Sequence, residues 1–249
     1  PHSTHCKNPF LAGLSSSHPI DDSENFPAMT TDAHHHPSIV EHVVVAGREW
    51  SLWRPPSAED LIDEGAYAQD ERLPYWAELW PSGHVLAEEL ALRKLTGMRV
   101  LELGCGLGLP SLVAASEGAK VTATDWYREA LDHVRRNADE AGLRVSTLSL
   151  DWFNPSPELL SAAPFDLVIG ADVLYEDRNG GALLALLPKL IGRSGEALIS
   201  DPRRPNAKTL LEPLRERGWT VTTRDVEHRR RIDESGPTVH LHRLVPPEA

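Results

Sequence analysis

The chain has 249 residues, 41% of them hydrophobic, and a formal net charge of −12 at pH 7. This length is enough to bury one sizeable core. The acidic balance argues against a nucleic-acid binder, which usually presents a basic face, and it favours a cationic partner. No apolar run approaches 18 residues, and no basic stretch followed by an apolar one opens the sequence. We therefore expect no membrane span, no secretory signal and a cytoplasmic location.

Residues 1–37 are rich in Ser, His, Pro and Asp and lack a hydrophobic period, which predicts a disordered N-terminal arm. The triplet His34 to His36 in this arm is interpreted as solvated rather than as a preformed metal site. Two cysteines, Cys6 and Cys105, are too few and too far apart for a disulfide framework or a metal site. We predict that residues 38–249 form one domain.

The first part of this domain, residues 38–95, is predicted to be a hairpin and helix extension of the core. Val40 to Trp53 has the pattern of a β-hairpin, and Ser57 to Asp60 resembles the start of a helix. Aromatic residues are dense from Tyr75 to Gly83, which indicates a platform packed over another part of the protein. A helix is predicted from about His84 to Leu95.

Strand and helix patterns alternate through the core, residues 96–249. Strands are predicted at Arg99–Leu103, Lys120–Thr124, Val145–Leu150, Phe165–Ala171 and Glu196–Ser200, and helices over 109–117, 128–141, 182–190 and 207–217. Such alternation predicts an α/β fold with a parallel sheet covered on both faces. Two final strands, Trp219–Val226 and Thr238–Leu244, leave no room for a helix between them, so an antiparallel hairpin must complete the sheet.

A glycine-rich turn, Gly104-Cys105-Gly106-Leu107-Gly108, follows the first core strand. Glycines allow the backbone to turn sharply and approach a ligand, while the next helix presents free N–H groups. Cys105 fits such a turn because it is small. A turn of this kind can also be a plain strand-to-helix connection, and NAD-binding folds use a related loop. Whether it binds a cofactor, and which one, therefore depends on the residues at the neighbouring strand ends.

Acidic and aromatic residues follow the next two strands. Asp125 ends the second strand, where a carboxylate can accept both hydroxyls of a ribose, and Trp126 can lie against an adenine. Asp151 and Trp152 end the third strand, where the carboxylate can accept the adenine amine. A single aspartate at a strand end is more often a helix cap. Here the glycine turn and the two acidic residues occupy three successive strand ends, and this combination favours a cofactor that carries a nucleoside.

S-adenosylmethionine is favoured over NAD as this cofactor. The glycine spacing differs from the dinucleotide fingerprint, and the terminal hairpin leaves no second mononucleotide-binding half. Glu102, two residues before the first glycine, places a carboxylate near the expected cationic end of the cofactor.

These motifs, together with Gly170 to Tyr175, resemble those of the seven-strand class I methyltransferases. The chain is most similar to the branch that contains protein lysine methyltransferases acting on electron-transfer flavoprotein β, calmodulin and chaperones. Tyr75 to Gly83 matches the aromatic Trp-Pro segment of that branch, and Asp172 to Tyr175 matches its Asp-x-x-Tyr motif. The resemblance implies a Rossmann-like seven-stranded sheet in the order 3-2-1-4-5-7-6, with the seventh strand antiparallel.

Asp172 and Tyr175 are the candidate catalytic residues, because they follow the fourth strand at the position expected to lie beside the methyl group of the cofactor. Asp172 is expected to orient an acceptor amine or to take its proton, and the Tyr175 ring to face a cationic ammonium. The alternative is that Asp172 caps a helix and Tyr175 packs as a lid. The candidate cofactor-binding residues are Trp80, Glu102, Gly104, Cys105, Gly106, Gly108, Asp125, Trp126, Asp151, Trp152 and Ala171.

Four further features have structural alternatives. Trp76 and Trp80 either close over the cofactor or form core, and their spacing suggests a shared helix face. Asp201 to Pro205 is interpreted as a solvated loop, with shaping of the substrate mouth as the alternative. Arg229 to Arg231 is interpreted as a charged hairpin tip, with recognition of an acidic partner as the alternative. His133 is expected to lie at the surface or to pack.

The function predicted from the sequence is S-adenosylmethionine-dependent N-methylation, with a protein lysine side chain as the acceptor. A small-molecule N- or O-methyltransferase and an inactive cofactor-binding module remain the alternatives. The expected partners are therefore a protein or a small-molecule amine. Nucleic acid, membrane and metal are not expected, and the chain is expected to be a monomer or weak dimer.

Overall fold

A computed structural model of the chain describes residues 38–58, 61, 74–228 and 236–248. The predicted hairpin is confirmed: β1 (Ile39–Val45) and β2 (Arg48–Arg54) pair in antiparallel fashion. Ala46 and Gly47 both adopt positive φ angles, of 49° and 79°, as a tight two-residue hairpin turn requires. The predicted arm, the helix expected beyond Ala58 and the predicted tip at 229–231 lie outside the described residues.

Seven further strands and six helices alternate through the rest of the part that the structure describes. The strands are β3 (Arg99–Leu103), β4 (Lys120–Asp125), β5 (Val145–Ser149), β6 (Phe165–Ala171), β7 (Ile191–Asp201), β8 (Thr220–Glu227) and β9 (Thr238–Val245). The helices are α1 (Pro81–Ala91), α2 (Leu109–Ser116), α3 (Arg128–Glu140), α4 (Pro157–Ala162), α5 (Asp177–Leu190) and α6 (Lys208–Glu216).

The core strands form one sheet in the order β5-β4-β3-β6-β7-β9-β8. Strands β3 to β7 pair in parallel, whereas β9 is antiparallel to both β7 and β8. Counted from β3 as the first core strand, this is the order 3-2-1-4-5-7-6 with an antiparallel seventh strand. The predicted Rossmann-like fold is therefore confirmed.

The two faces of the sheet carry separate apolar cores. Leu86 of α1, Leu112 of α2 and Ala138 of α3 belong to one buried cluster, which also contains Trp50 and Leu52 of the hairpin. On the other face, α4, α5 and α6 contribute to a second cluster, with Leu159, Leu183 and Leu210 among its members. Each fully buried leucine stabilises the fold by roughly 1.5–3 kcal/mol. Among the described residues, no helix is both long and apolar enough to cross a bilayer.

Asn137 of α3 attaches the N-terminal hairpin to the core. It is fully buried, and its Oδ1 accepts a hydrogen bond from the N–H of Trp53 at 2.7 Å. Its Nδ2 donates to the carbonyls of Trp53 and Leu107, each at 3.2 Å. Because Leu107 lies in the glycine turn, one amide side chain holds the hairpin, α3 and that turn together.

The sequence prediction misplaced the starts of α5 and β7 and missed one helix, and the helix predicted from about His84 to Leu95 runs from Pro81 to Ala91. Helix α5 begins at Asp177 rather than Ala182, across two glycines that resemble a loop. A Cβ at Gly180 would lie 1.8 Å from Thr209 Oγ1, so this glycine permits close packing of α5 against the start of α6. Strand β7 likewise begins before its glycines, at Ile191. The missed helix α4 has only six residues, too few for a period to show.

Candidate active site

The carboxyl ends of the central strands surround one cavity of about 820 Å³. This is where ligands bind in open α/β sheets, outside the ends of the strands. Every residue that the sequence predicts for the site lines this cavity: Trp80, Glu102, Gly104, Cys105, Gly106, Gly108, Asp125, Trp126, Asp151, Trp152, Ala171, Asp172 and Tyr175. The structure thus brings the predicted cofactor residues and the predicted catalytic residues together.

The glycine turn is closely packed on both sides. Gly106 has a φ of 50°, and a Cβ there would lie 3.1 Å from the backbone oxygen of Trp76. Gly108 has a φ of 81°, and a Cβ there would lie 2.7 Å from a methyl group of Val134 on α3. Both positions therefore need glycine for conformation and for space, and the turn keeps its backbone against the cavity.

Asp125 lies at the glycine turn, as the sequence predicts. Its Oδ2 accepts the N–H of Gly106 at 2.9 Å, and its Oδ1 accepts the N–H of Tyr127 at 3.0 Å. Burial raises the pKa of Asp125 to about 6, although these backbone hydrogen bonds act in the opposite direction. The carboxylate is thus held at the cavity wall by two backbone donors.

Glu102 forms a buried acidic part of the cavity wall. Its side chain accepts a hydrogen bond from Ser111 Oγ of α2, and the residue is only 1% exposed. Burial, with a smaller contribution from the nearby charge of Asp125, raises its pKa to about 8. A carboxylate in this environment becomes favourable when a cation lies beside it. The cavity wall therefore suits a positively charged ligand.

The end of β5 supplies the third acidic group. One carboxylate oxygen of Asp151 accepts the N–H of Phe153 at 2.9 Å, and the residue is half-buried at the cavity. Trp152 covers the glycine turn, since a Cβ at Gly104 would meet its ring at 3.2 Å. Trp126 lines the cavity from an exposed position. A cationic sulfur, a ribose and an adenine match this set of side chains, so the residues present fit S-adenosylmethionine.

Asp172 binds an arginine that the sequence analysis did not predict for the site. It is 9% exposed and has a positive φ of 54°. Arg204 donates to both of its carboxylate oxygens, from Nε to Oδ1 at 2.7 Å and from a terminal nitrogen to Oδ2 at 2.9 Å. The alternative in which Asp172 caps a helix is wrong, because the residue that precedes α5 as its cap is Glu176.

The loop after β7 was expected to be solvated, and this interpretation is wrong for Arg204. The Arg204 side chain is half-buried and lines the cavity. Its backbone N–H donates to Asp201 Oδ1 at 2.6 Å, which fixes the loop to the end of the strand. The available signal was its place directly after a parallel strand, at the same sheet edge as the other site residues.

Three aromatic rings form the rim of the cavity near Asp172. Tyr75 contacts Trp80 and Tyr175 edge to face, with ring centroids 6.0 and 5.7 Å apart. All three side chains are partly exposed. The expectation that Trp76 and Trp80 share a helix face is wrong, because α1 begins only at Pro81 and Tyr75–Ala77 is a separate 3₁₀ turn.

Trp76 instead packs in a small buried cluster behind the glycine turn. It lies with Leu107 and Ala130, and its ring is 5.4 Å from that of His133. His133 also contacts the carbonyl of Trp53 through Nδ1 at 3.2 Å. Its expected packing role is therefore confirmed, and Trp76 combines a core position with a place on the cavity wall.

Sheet order, glycine turn and acidic strand ends together define a Rossmann-like methyltransferase. Solved structures agree on the fold. The 16S rRNA N2 G1207 methyltransferase of T. thermophilus has a TM-score of 0.60 at 17% identity, covering 84% of this chain and 50% of that one. Magnesium protoporphyrin IX methyltransferase from Synechocystis has a TM-score of 0.53 at 18% identity, covering 75% of this chain and 94% of that one.

Residues 68–216 match the family model described as lysine methyltransferase, and the chain belongs to this family. Membership confirms the predicted class of protein and S-adenosylmethionine as its cofactor. The protein N-lysine methyltransferase METTL21A of Danio rerio is 33% identical over 183 residues, which are 70% of this chain and 79% of that protein.

Histone-arginine methyltransferase METTL23 of Xenopus laevis is 34% identical over 128 residues, which are 49% of this chain. The match spans 55% of the Xenopus protein and 53% of the related Mus musculus protein. The chain therefore spans only about half the length of these histone-arginine relatives.

Proposed function

We propose that this protein transfers a methyl group from S-adenosylmethionine to a side-chain nitrogen of another protein, with lysine as the acceptor. One observation carries the proposal: an acidic cavity formed by Glu102, Asp125 and Asp151 opens beside Asp172, under a rim of aromatic rings. A cationic cofactor and a cationic acceptor both suit such a site. Relatives named as protein N-lysine methyltransferases, in Danio rerio and Mus musculus, support the same acceptor.

The cavity wall would hold the cofactor through complementary groups. Glu102 would face the cationic end, Asp125 would accept hydrogen bonds from the ribose hydroxyls, and Asp151 would accept one from the adenine amine. When bound, S-adenosylmethionine supplies a methyl group on a positively charged sulfur, whose displacement leaves a neutral thioether. The glycine turn keeps bulky side chains away from this position.

The acceptor nitrogen must lose a proton before it can attack, because a lysine ammonium has no lone pair. Its pKa in water is about 10.4. Arg204 donates to both oxygens of the Asp172 carboxylate and fixes its plane. Two carboxylate oxygens offer roughly four acceptor sites, so Asp172 can still accept an N–H of the substrate while Arg204 is bound. Tyr175 at the rim presents a ring to the incoming cation.

Arginine is a second candidate acceptor, and the site itself gives a reason. Asp172 already binds the guanidinium of Arg204 through two parallel hydrogen bonds. A substrate guanidinium would suit the same carboxylate. The METTL23 proteins of Xenopus laevis and Mus musculus, which are similar to this chain, are named histone-arginine methyltransferases.

Methyl-labelled S-adenosylmethionine, added with the purified protein to a cell lysate, tests the proposal. We expect label on discrete protein bands and methyl-lysine after acid hydrolysis. Methylarginine would support the second candidate instead. Label that appears only on diffusible products would contradict a protein acceptor and favour a small-molecule methyltransferase.

Two neighbouring arginines provide a matched control for the acceptor side of the site. Arg204→Ala removes the partner of Asp172, and we expect labelling to fall by about 10-fold or more, because the carboxylate loses its fixed orientation. Arg203→Ala changes an exposed residue that does not line the cavity, and labelling is expected to stay at the wild-type level. Equal effects of the two substitutions would contradict the role given to Arg204.

A further inference from the structure

Three side chains of the metal-binding types meet on one face of the sheet, at the β7–β9 pairing. Asp201 is the last residue of β7 and pairs directly with His240 of β9, and His242 follows two residues later. Residues opposite one another, and residues two apart, share a face of a sheet. One ligand atom from each of the three lies within 4.8 Å of the others. None of the three lines the cofactor cavity.

Two of these side chains are buried with one polar atom unpaired. Asp201 is 0% and His242 is 1% exposed. Asp201 Oδ2 and His242 Nε2 have no hydrogen-bond partner among the described residues. Native proteins rarely leave buried polar atoms unpaired, because each such atom has lost its hydration without compensation. A bound cation would compensate both atoms at once.

The second atom of each side chain is engaged in a way that orients it. Asp201 Oδ1 accepts the N–H of Arg204 at 2.6 Å, and His242 Nδ1 lies 2.8 Å from Thr223 Oγ1. When His242 Nδ1 donates this hydrogen bond to the Thr223 hydroxyl, the ring carries its lone pair on Nε2, where it can bind a metal. Asp225 lies 3.3 Å from His240 Nε2, a carboxylate–histidine contact of the kind that orients metal-bound imidazoles.

We propose that Asp201, His240 and His242 bind a divalent transition-metal ion, with zinc as the expected occupant. Two imidazoles and one carboxylate are a common ligand set for zinc, which binds these atoms at about 2.0–2.2 Å. Ligand atoms around one zinc ion are then roughly 3–3.5 Å apart. Atoms that already lie within 4.8 Å of one another reach that spacing through small side-chain rotations.

The ion would act on the structure rather than on the reacting atoms. Asp201 holds the backbone of Arg204, and Arg204 holds Asp172 at the cavity. An ion on Asp201 would therefore stiffen the end of β7 from behind the active site. Zinc binding at this cluster does not depend on which nitrogen the protein methylates.

The test uses the full chain in a variant that carries His34→Ser, His35→Ser and His36→Ser, so that the histidine triplet cannot bind the metal. After chelator treatment and dialysis, zinc is titrated against a chromophoric chelator, and cobalt is added separately for its visible absorption spectrum. We expect one tight equivalent of zinc per chain. The cobalt spectrum should indicate nitrogen and oxygen ligands.

Three substitutions in this background separate the proposed site from adventitious binding. His242→Gln should weaken zinc binding by about 100-fold or more, and Thr223→Val by about 10-fold. His42→Ala removes an exposed histidine of β1 and should change nothing. Circular dichroism and cofactor binding verify that each variant is folded.

Thermal unfolding gives a readout that does not depend on activity. Zinc should raise the Tm of the background protein and leave that of His242→Gln unchanged, because binding only to the native state stabilises it. Two results would overturn the proposal: a background protein that retains no zinc, or equally tight zinc binding by folded His242→Gln.

Discussion

Glu102→Gln tests the electrostatics of the cavity wall without changing its shape. Glutamine is nearly isosteric with the protonated glutamic acid and keeps an acceptor for the Ser111 hydroxyl. In the native protein without cofactor, burial raises the pKa of Glu102 from 4.5 to about 8. Between these values the native state keeps a proton that the unfolded chain has released. The free energy of unfolding therefore falls as the pH rises through this interval.

The size of the effect follows from the two pKa values. One pH unit corresponds to about 1.4 kcal/mol, so the whole interval between 4.5 and about 8 amounts to about 5 kcal/mol. Other groups contribute below pH 6.5. Asp125, with a pKa raised to about 6, acts in the same direction, whereas His242, with a pKa lowered to about 4, acts in the opposite direction up to its unfolded value of 6.5.

From pH 6.5 to 8 the Glu102 contribution therefore dominates, while His242 and His133, whose pKa burial also lowers, add only a smaller contribution of opposite sign from the end of their titration in the unfolded chain. Urea unfolding at constant ionic strength should show a loss of about 2 kcal/mol across this range for the wild type and almost none for Glu102→Gln. Asp125→Asn is the control, and it should keep most of the wild-type slope above pH 6.5, reduced only by the loss of its small raising effect on the Glu102 pKa. A flat wild-type profile, or equal slopes for the wild type and Glu102→Gln, would refute a protonated Glu102 in the protein without cofactor.

Cofactor binding at pH 7 should release a proton from Glu102, which calorimetry in buffers of different ionisation enthalpy detects and which Glu102→Gln should abolish. Gly108→Ala should lower the unfolding free energy by about 2–4 kcal/mol, because it combines backbone strain with a clash, whereas Gly142→Ala, in open space at a similar φ, should cost about 1–2 kcal/mol. Asp172→Asn should reduce methyl transfer by about 100-fold while cofactor affinity in calorimetry stays within about 2-fold.

Each of these predictions has a contradicting outcome. Proton release that persists in Glu102→Gln would place the titrating group elsewhere. Equal losses of stability in Gly108→Ala and Gly142→Ala would show that Val134 and α3 move away from the turn and relieve the clash. Full activity of Asp172→Asn with the true acceptor would remove this carboxylate from the proposed chemistry.

Local patterns were sufficient to predict the sheet and many of the residues that line the cavity. Short apolar segments identified the strands, and the lack of space for a helix before Thr238 identified the closing hairpin. Asp125 and Asp151 could be placed because parallel strands end at a common edge, so sequence position alone gives a shared location. The glycine turn could be predicted from the spacing of its three glycines directly after a strand.

The parts that could not be predicted depend on partners distant in sequence. Arg204 follows a strand in a loop without periodicity, and its contact with Asp172 spans 32 residues. Gly180 resembled a loop residue because the close approach of Thr209, which makes a glycine favourable there, comes from another helix. The separation of Trp76 from Trp80 depends on a new helix at Pro81, which spacing alone does not reveal.

The attachment by Asn137 connects the hairpin to the glycine turn at the cavity, so the hairpin is not a separate extension. Without the backbone of Trp53, the buried amide of Asn137 would lose two of its three hydrogen bonds directly behind the glycine turn. A fragment restricted to the central sheet would keep the acidic strand ends but would support their turn less rigidly. The smallest fragment expected to retain full cofactor affinity therefore begins before β1.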